Sequence, residues 1–240
     1  MRILSIGNSF SDDSHRYLHK LAISDGEDLN TVNLYISGCP LSTHYSNVLE
    51  DKAAYAVRFN GEDTGLFMSI KQALISGDWD IITLQQASIN SAKKETYFPY
   101  IEYLVDYVKN FCPNAKIYIH QTWAYEDGSE KLASCGYSTA TEMFNDIQKT
   151  YKSVANSINA DGIIPCGQAM LNAINGGIGK IHRDTFHASL GAGRYLLALT
   201  WYKTLTGKDI IKNNFSDFDE PVSQKEREIV IEAVNKAFKK

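Results

Sequence analysis

An alternation of two kinds of segment constrains this chain more than any other feature. Short apolar runs bounded by Gly, Pro, Asn or Asp take turns with longer stretches of helical period. The short runs fall at residues 3–6, 31–36, 80–85, 116–120 and 162–165, and strands apolar on both faces need helices covering both sides. Helical spacing is read over residues 12–24, 66–75, 93–111, 140–159, 190–205 and 225–238. The alternation predicts an α/β fold: a three-layer α/β/α sandwich around a five-stranded parallel sheet, flavodoxin-like in outline.

Local signals punctuate this pattern. Ser223 followed by Glu226 reads as a capping box opening the last helix, and Gly207 reads as the stop of the helix before it. Residues 55–59 followed by Asn60-Gly61 read as one arm of a small hairpin between the second strand and the next helix. No repeat and no long linker divides the chain, so residues 1–240 are expected to form one domain.

Composition excludes several functional classes. A hydrophobic fraction of 44% suits a chain that buries a large core, and a net charge of −4 leaves no basic excess for nucleic acid or an anionic membrane. The four cysteines, Cys39, Cys112, Cys135 and Cys166, show no CxxC or zinc spacing and are expected as reduced thiols. The first residues run straight into a strand, leaving no room for a signal peptide, and no apolar run approaches the roughly 20 residues of a spanning helix. A cytoplasmic location and no cofactor or metal are the resulting expectations.

Two segments far apart carry the chemistry. Gly7-Asn8-Ser9-Phe10 turns from the first strand into a helix at the sheet edge where open parallel sheets hold their sites. The unpaired N–H groups of such a helix start favour negative charge, so Ser9 is placed to act as a nucleophile whose own N–H faces an oxyanion. Asp184-Thr185-Phe186-His187 can present an imidazole from one short loop while the carboxylate three residues earlier holds its second ring nitrogen. Each segment alone also fits a plainer role, Ser9 as a turn residue and Asp184 as a helix cap beside a loop histidine.

Together the segments resemble the first and last sequence blocks of the SGNH/GDSL hydrolases. The chain is more closely similar to a bacterial branch of that superfamily known as a domain of unknown function. This likeness runs through residues 6–11, Gly38-Cys39-Pro40-Leu41 with His44, residues 79–88, residues 120–125, residues 164–167 and residues 190–195 with Trp201-Tyr202. The resemblance implies a serine esterase for small acyl esters, an acetyl group on a carbohydrate among them, with Ser9, His187 and Asp184 as its triad. It further implies an oxyanion hole built from the N–H groups of Ser9 and Gly38 and a side-chain amide. The superfamily's Gly-x-Asn-Asp is absent here, so that amide is assigned to Gln85, with Gln86 as the alternative. Asn8 stands where the superfamily has aspartate.

Other candidates weigh less. His15 and His19 have the i, i+4 spacing of metal ligands but no third ligand. His44, a lone loop histidine after Gly38, is a candidate substrate contact, as are Trp123 and Tyr125, for which a packed aromatic lid is the alternative. Residues 175–180 have glycines and a lysine without phosphate-loop spacing and read as a flexible connection, which disfavours a nucleotide-binding module. The rival to the esterase is a non-catalytic carbohydrate-binding domain on the same scaffold. The expected partner is therefore a small-molecule or carbohydrate ester.

Overall fold

The computed structural model describes residues 1–239. Seventeen regular elements follow one another, beginning with β1 (Arg2–Gly7), α1 (Ser9–His15), α2 (Leu18–Ser24), β2 (Asn30–Tyr35) and α3 (Leu41–Leu49). Next come the β3 (Tyr55–Phe59) and β4 (Glu62–Met68) hairpin, α4 (Ile70–Ile75), β5 (Ile81–Leu84), α5 (Tyr100–Phe111) and β6 (Lys116–His120). The chain closes with α6 (Glu130–Ser134), α7 (Ala140–Ser157), β7 (Gly162–Ile164), α8 (Cys166–Asn175), α9 (Ala192–Thr206) and α10 (Gln224–Ala237). The strands form one sheet in the order β4-β3-β2-β1-β5-β6-β7.

All five expected strands are present and mutually parallel, with β1 at the centre. The sheet has seven strands rather than five, because the Asn60-Gly61 turn folds β4 antiparallel onto β3 and β3 pairs antiparallel with β2. Residues 66–68 therefore belong to β4 and not to a helix, and Ser69 opens α4 through a reciprocal capping box with Gln72. The expected first helix is two, with α1 ending at His15 and α2 starting at Leu18. Between them Tyr17 is buried, and its hydroxyl accepts a hydrogen bond from the Asp219 N–H at 2.7 Å.

Helices α1, α2, α8, α9 and α10 pack on one another, and α3, α4 and α5 form a separate packed group. Central strands β1 and β5 are buried along nearly their whole length, with Ile3, Leu4, Ile6, Ile82 and Leu84 fully enclosed. Full burial of such a side chain stabilises by about 1.5–3 kcal/mol relative to exposure, so these short strands are held by packing rather than by length. Both expected helix signals form: Ser223 and Glu226 exchange capping bonds, and Gly207 takes a left-handed C-cap. The cysteines are free, and burial pushes the Cys39 thiol up to about 12. No helix of the described residues is long and apolar enough to cross a membrane.

Four histidines are buried; His182 bonds the Ala124 carbonyl at 3.1 Å, and the other three bond core side chains. His15 bonds Ser5 Oγ at 2.8 Å, His120 bonds Gln85 Oε1 at 2.8 Å, and His44 bonds the Tyr55 hydroxyl at 2.9 Å. Burial lowers the pKa of each of these three to about 3, with His15 adding to the effect at His120. The folded chain therefore keeps these rings neutral at pH values where the unfolded chain protonates them. Stability is complete above the ordinary histidine value of 6.5 and falls as pH drops from there towards about 3. At about 1.4 kcal/mol per pH unit for each ring, urea midpoints should show a loss of about 3–4 kcal/mol between pH 7 and pH 5.5. A flat profile across that range would contradict neutral burial.

Candidate active site

The turn after β1 sets the position of Ser9. Gly7 ends the strand where a Cβ would lie 2.4 Å from Ser11 Oγ and 3.0 Å from Gln85 Oε1, so only glycine lets the backbone pass. Asn8 caps α1 by accepting from the Phe10 N–H at 3.1 Å, which leaves Ser9 as the first helical residue. Its N–H is one of the donors a helix cannot satisfy internally.

The loop carrying His187 is fastened at several points. Ser189 N–H donates to the Ile181 carbonyl at 2.7 Å and Arg183 N–H to the His187 carbonyl at 3.0 Å, closing a small antiparallel turn with Thr185 at φ +71°. Glu126 N–H donates to the Thr185 carbonyl, and the Trp123 indole N–H donates to the Phe186 carbonyl, both at 2.8 Å. From α1, the Asp13 carboxylate, 1% exposed, accepts from Arg183 at 2.8 and 2.9 Å and from Arg194 Nε at 2.9 Å. One buried charge thus ties the loop and α9 to the helix that begins with Ser9.

These constraints bring the three expected residues together. His187 Nε2 lies 2.7 Å from Ser9 Oγ, and His187 Nδ1 lies 2.7 Å from Asp184 Oδ2. The other carboxylate oxygen of Asp184 accepts from the His187 backbone N–H at 2.8 Å. Partial burial pushes the Asp184 carboxyl upward, but the His187 side-chain and backbone hydrogen bonds outweigh it, and the net shift is below the ordinary carboxylate range. With Asp184 ionised, Nδ1 carries the proton and Nε2 is free to accept from the serine hydroxyl.

Ser9, Gly38, Tyr125, Lys131, Phe186 and His187 line a cavity of about 250 Å³ at the carboxyl edge of the sheet. Gly38, at φ +61°, holds the left-handed turn after β2 that faces this cavity. Among the described residues, neither the Ser9 nor the Gly38 N–H has another hydrogen-bond partner. A larger hollow of about 750 Å³ lies at the opposite edge, beside Asp80 and Lys116 where strands β5 and β6 begin. That edge holds none of the serine, histidine and aspartate arrangement.

Several expected contacts are corrected. Gln85 does not line the cavity: its Nε2 donates to Asn8 Oδ1 at 2.6 Å and its Oε1 is held by His120, so the carboxamide is spent inside the core. Gln86 is also committed, accepting from the Leu41 N–H and donating to the Thr96 carbonyl, each at 3.0 Å. His44 is buried against Tyr55, and Trp123 is stacked on Phe10 with ring centroids 4.0 Å apart, so neither reaches the cavity. Tyr125 does form part of its wall, with its hydroxyl 2.9 Å from Ser88 Oγ. His15 and His19 fall in different helices and bond Ser5 and the Leu29 carbonyl separately.

Sequence reasoning did not single out Asp13, Arg194 or Lys131. Asp13 carried a faint signal, an acidic residue adjoining the serine turn, but its arginine partners lie 170 and 181 positions away.

The fold is that of the SGNH hydrolases. It is shared by a protein from Slackia heliotrinireducens assigned to that group, with TM-score 0.62, 23% identity, and coverage of 85% of this chain and 98% of that one. An acetylxylan esterase, Axe2 from Geobacillus stearothermophilus, matches with TM-score 0.58 and 17% identity over 85% of this chain and 94% of that one. Residues 2–237 match the family model described as domain of unknown function DUF4886, and the chain belongs to that family. A DUF4886 family protein from Bacteroides uniformis superposes with TM-score 0.90 at 32% identity, covering 99% of this chain and 94% of that one. No curated protein matches the chain.

Removing the Asp13 charge leaves Arg183 without its carboxylate partner and Arg194 paired with Asp219 alone. Asp13→Ala should cost about 3 kcal/mol, the lower end for a broken buried pair because Arg183 can partly rehydrate. Urea denaturation at pH 7 measures the loss, and an unchanged midpoint would refute the clamp.

Proposed function

We propose that this chain is a serine esterase for small acyl esters, with Ser9 as nucleophile, His187 as general base and Asp184 as the group that orients it. The reading is carried by the two 2.7 Å contacts on opposite nitrogens of the His187 ring. Such a line lets the imidazole accept a proton from the serine while the carboxylate stabilises the cation that forms.

In this mechanism Ser9 Oγ attacks the ester carbonyl carbon as its proton passes to His187 Nε2. The carbonyl oxygen becomes an oxyanion, received by the N–H groups of Ser9 and Gly38. Collapse of the tetrahedral species breaks the bond to the alcohol, which leaves with the proton from His187. Water then repeats the sequence on the acyl-serine, releasing the carboxylic acid and restoring Ser9.

The cavity, about 250 Å³, lies below the usual range for drug-sized ligands, which supports a short acyl group. The Tyr125 wall and the fold shared with an acetylxylan esterase support an acetyl group carried on a carbohydrate. One observation favours the rival, a non-catalytic carbohydrate-binding domain: the amide expected as third oxyanion donor is committed elsewhere. Loss of such a donor slows acyl transfer by about 10²–10³-fold, which predicts a slow enzyme rather than an inert one.

A fluorophosphonate should label the protein at Ser9. Hydrolysis of p-nitrophenyl acetate should fall by at least about 10³-fold in Ser9→Ala. Equal rates for wild type and Ser9→Ala, with no labelled peptide, would remove the esterase reading and leave the binding domain.

A further inference from the structure

Lys131 is a charged side chain the proposed reaction does not use. It lies on α6 and lines the same cavity as Ser9 and His187, and no carboxylate lines that cavity. Its ammonium is 3.4 Å from the centre of the Phe186 ring and 5.5 Å from that of Tyr125. The Phe186 ring in turn lies 3.9 Å from the His187 ring. Among the described residues the Lys131 ammonium forms no ion pair or hydrogen bond, its neighbours at the cavity being aromatic faces.

Lysine side chains normally extend their charge into water or towards a carboxylate. Here two ring faces hold the ammonium beside the reacting groups, and ring faces attract a cation without neutralising it. The cavity therefore has a positive end with unused hydrogen-bond donors. A bound anion would gain a charge-assisted hydrogen bond there, stronger than a neutral one.

Resting on the esterase reading, we propose that Lys131 is a specificity-determining residue and that the preferred substrates are esters bearing a carboxylate. The carboxylate would sit on the acyl chain or on the alcohol, with Lys131 pairing with it while Ser9 attacks the ester carbonyl.

The test compares kcat/KM for mono-p-nitrophenyl succinate, with the carboxylate on the acyl side, and 4-acetoxybenzoate, with it on the leaving group, each against its neutral counterpart, p-nitrophenyl acetate or methyl 4-acetoxybenzoate. Wild type should favour one charged ester by about tenfold, the worth of one charge-assisted hydrogen bond. Lys131→Gln should abolish that preference, Lys131→Glu should reverse it, and Lys131→Arg should retain it. Raising the salt concentration should weaken it. Turnover without a charge preference, or a preference that survives Lys131→Gln, would overturn the proposal.

Binding of the same esters to Ser9→Ala, followed by calorimetry, separates this proposal from the esterase reading. A charged ester that binds more tightly than its neutral counterpart, with the difference lost in Ser9→Ala/Lys131→Gln, supports the subsite even if wild type hydrolyses nothing. Equal binding of charged and neutral esters removes the subsite whatever the turnover.

Discussion

The Asp13 carboxylate is enclosed beside the first helix and receives guanidinium N–H groups from Arg183 and Arg194. It joins the serine turn near one end of the chain to the histidine loop near the other. Ordering a loop costs roughly 1–2 kcal/mol per residue in backbone entropy, so contacts must offset that cost to hold the His187 ring in place. The bonds to Glu126, Trp123 and Asp13 meet it from three directions. Asp219 extends the same network outward, its carboxyl lowered to about 2, chiefly by the hydrogen bond from Arg16.

A second buried network runs beneath the serine turn. Gln85 bridges His120 and Asn8, and Asn8 Nδ2 donates to the Cys39 carbonyl at 3.1 Å, next to Gly38. The Phe10 N–H fixes Asn8 Oδ1 as an acceptor, so Gln85 presents Nε2 to it and turns Oε1 towards His120, whose Nδ1 then carries the ring proton. The glutamine thus supports the turn from below instead of donating into the cavity. Under the proposed mechanism this arrangement gives a rigid site with two backbone donors, in keeping with the plain acyl chemistry suggested for it. The SGNH fold alone does not choose a substrate, and the proposal above assigns that choice to a side chain at the cavity wall, Lys131.

The layered fold was largely legible because its signals are local. Five strands lie within a residue or two of their apolar runs, and the Ser223, Gly207 and Asn60-Gly61 signals each mark a real boundary. Helix α3 was hidden: Leu41–Leu49 is rich in Ser, Thr, Asn and His, poor helix formers, and it is held by burial of Leu41, His44 and Val48. Residues 66–68 misled because their apolar spacing continued the helical pattern, while the pairing of β4 with β3 depends on the opposite strand.

By itself, the sequence determined the five parallel strands, the serine turn and the Asp-x-x-His spacing, since each depends on residues a few positions apart, whereas α3, α6 and α8 left no such local signal. Only the tertiary structure decided that Gln85 faces His120 and Asn8, that His44 and Trp123 lie buried away from the cavity, and that Lys131 points towards it. A polar side chain commits to whichever partner its neighbours bring within about 3 Å, and those neighbours come from distant parts of the chain.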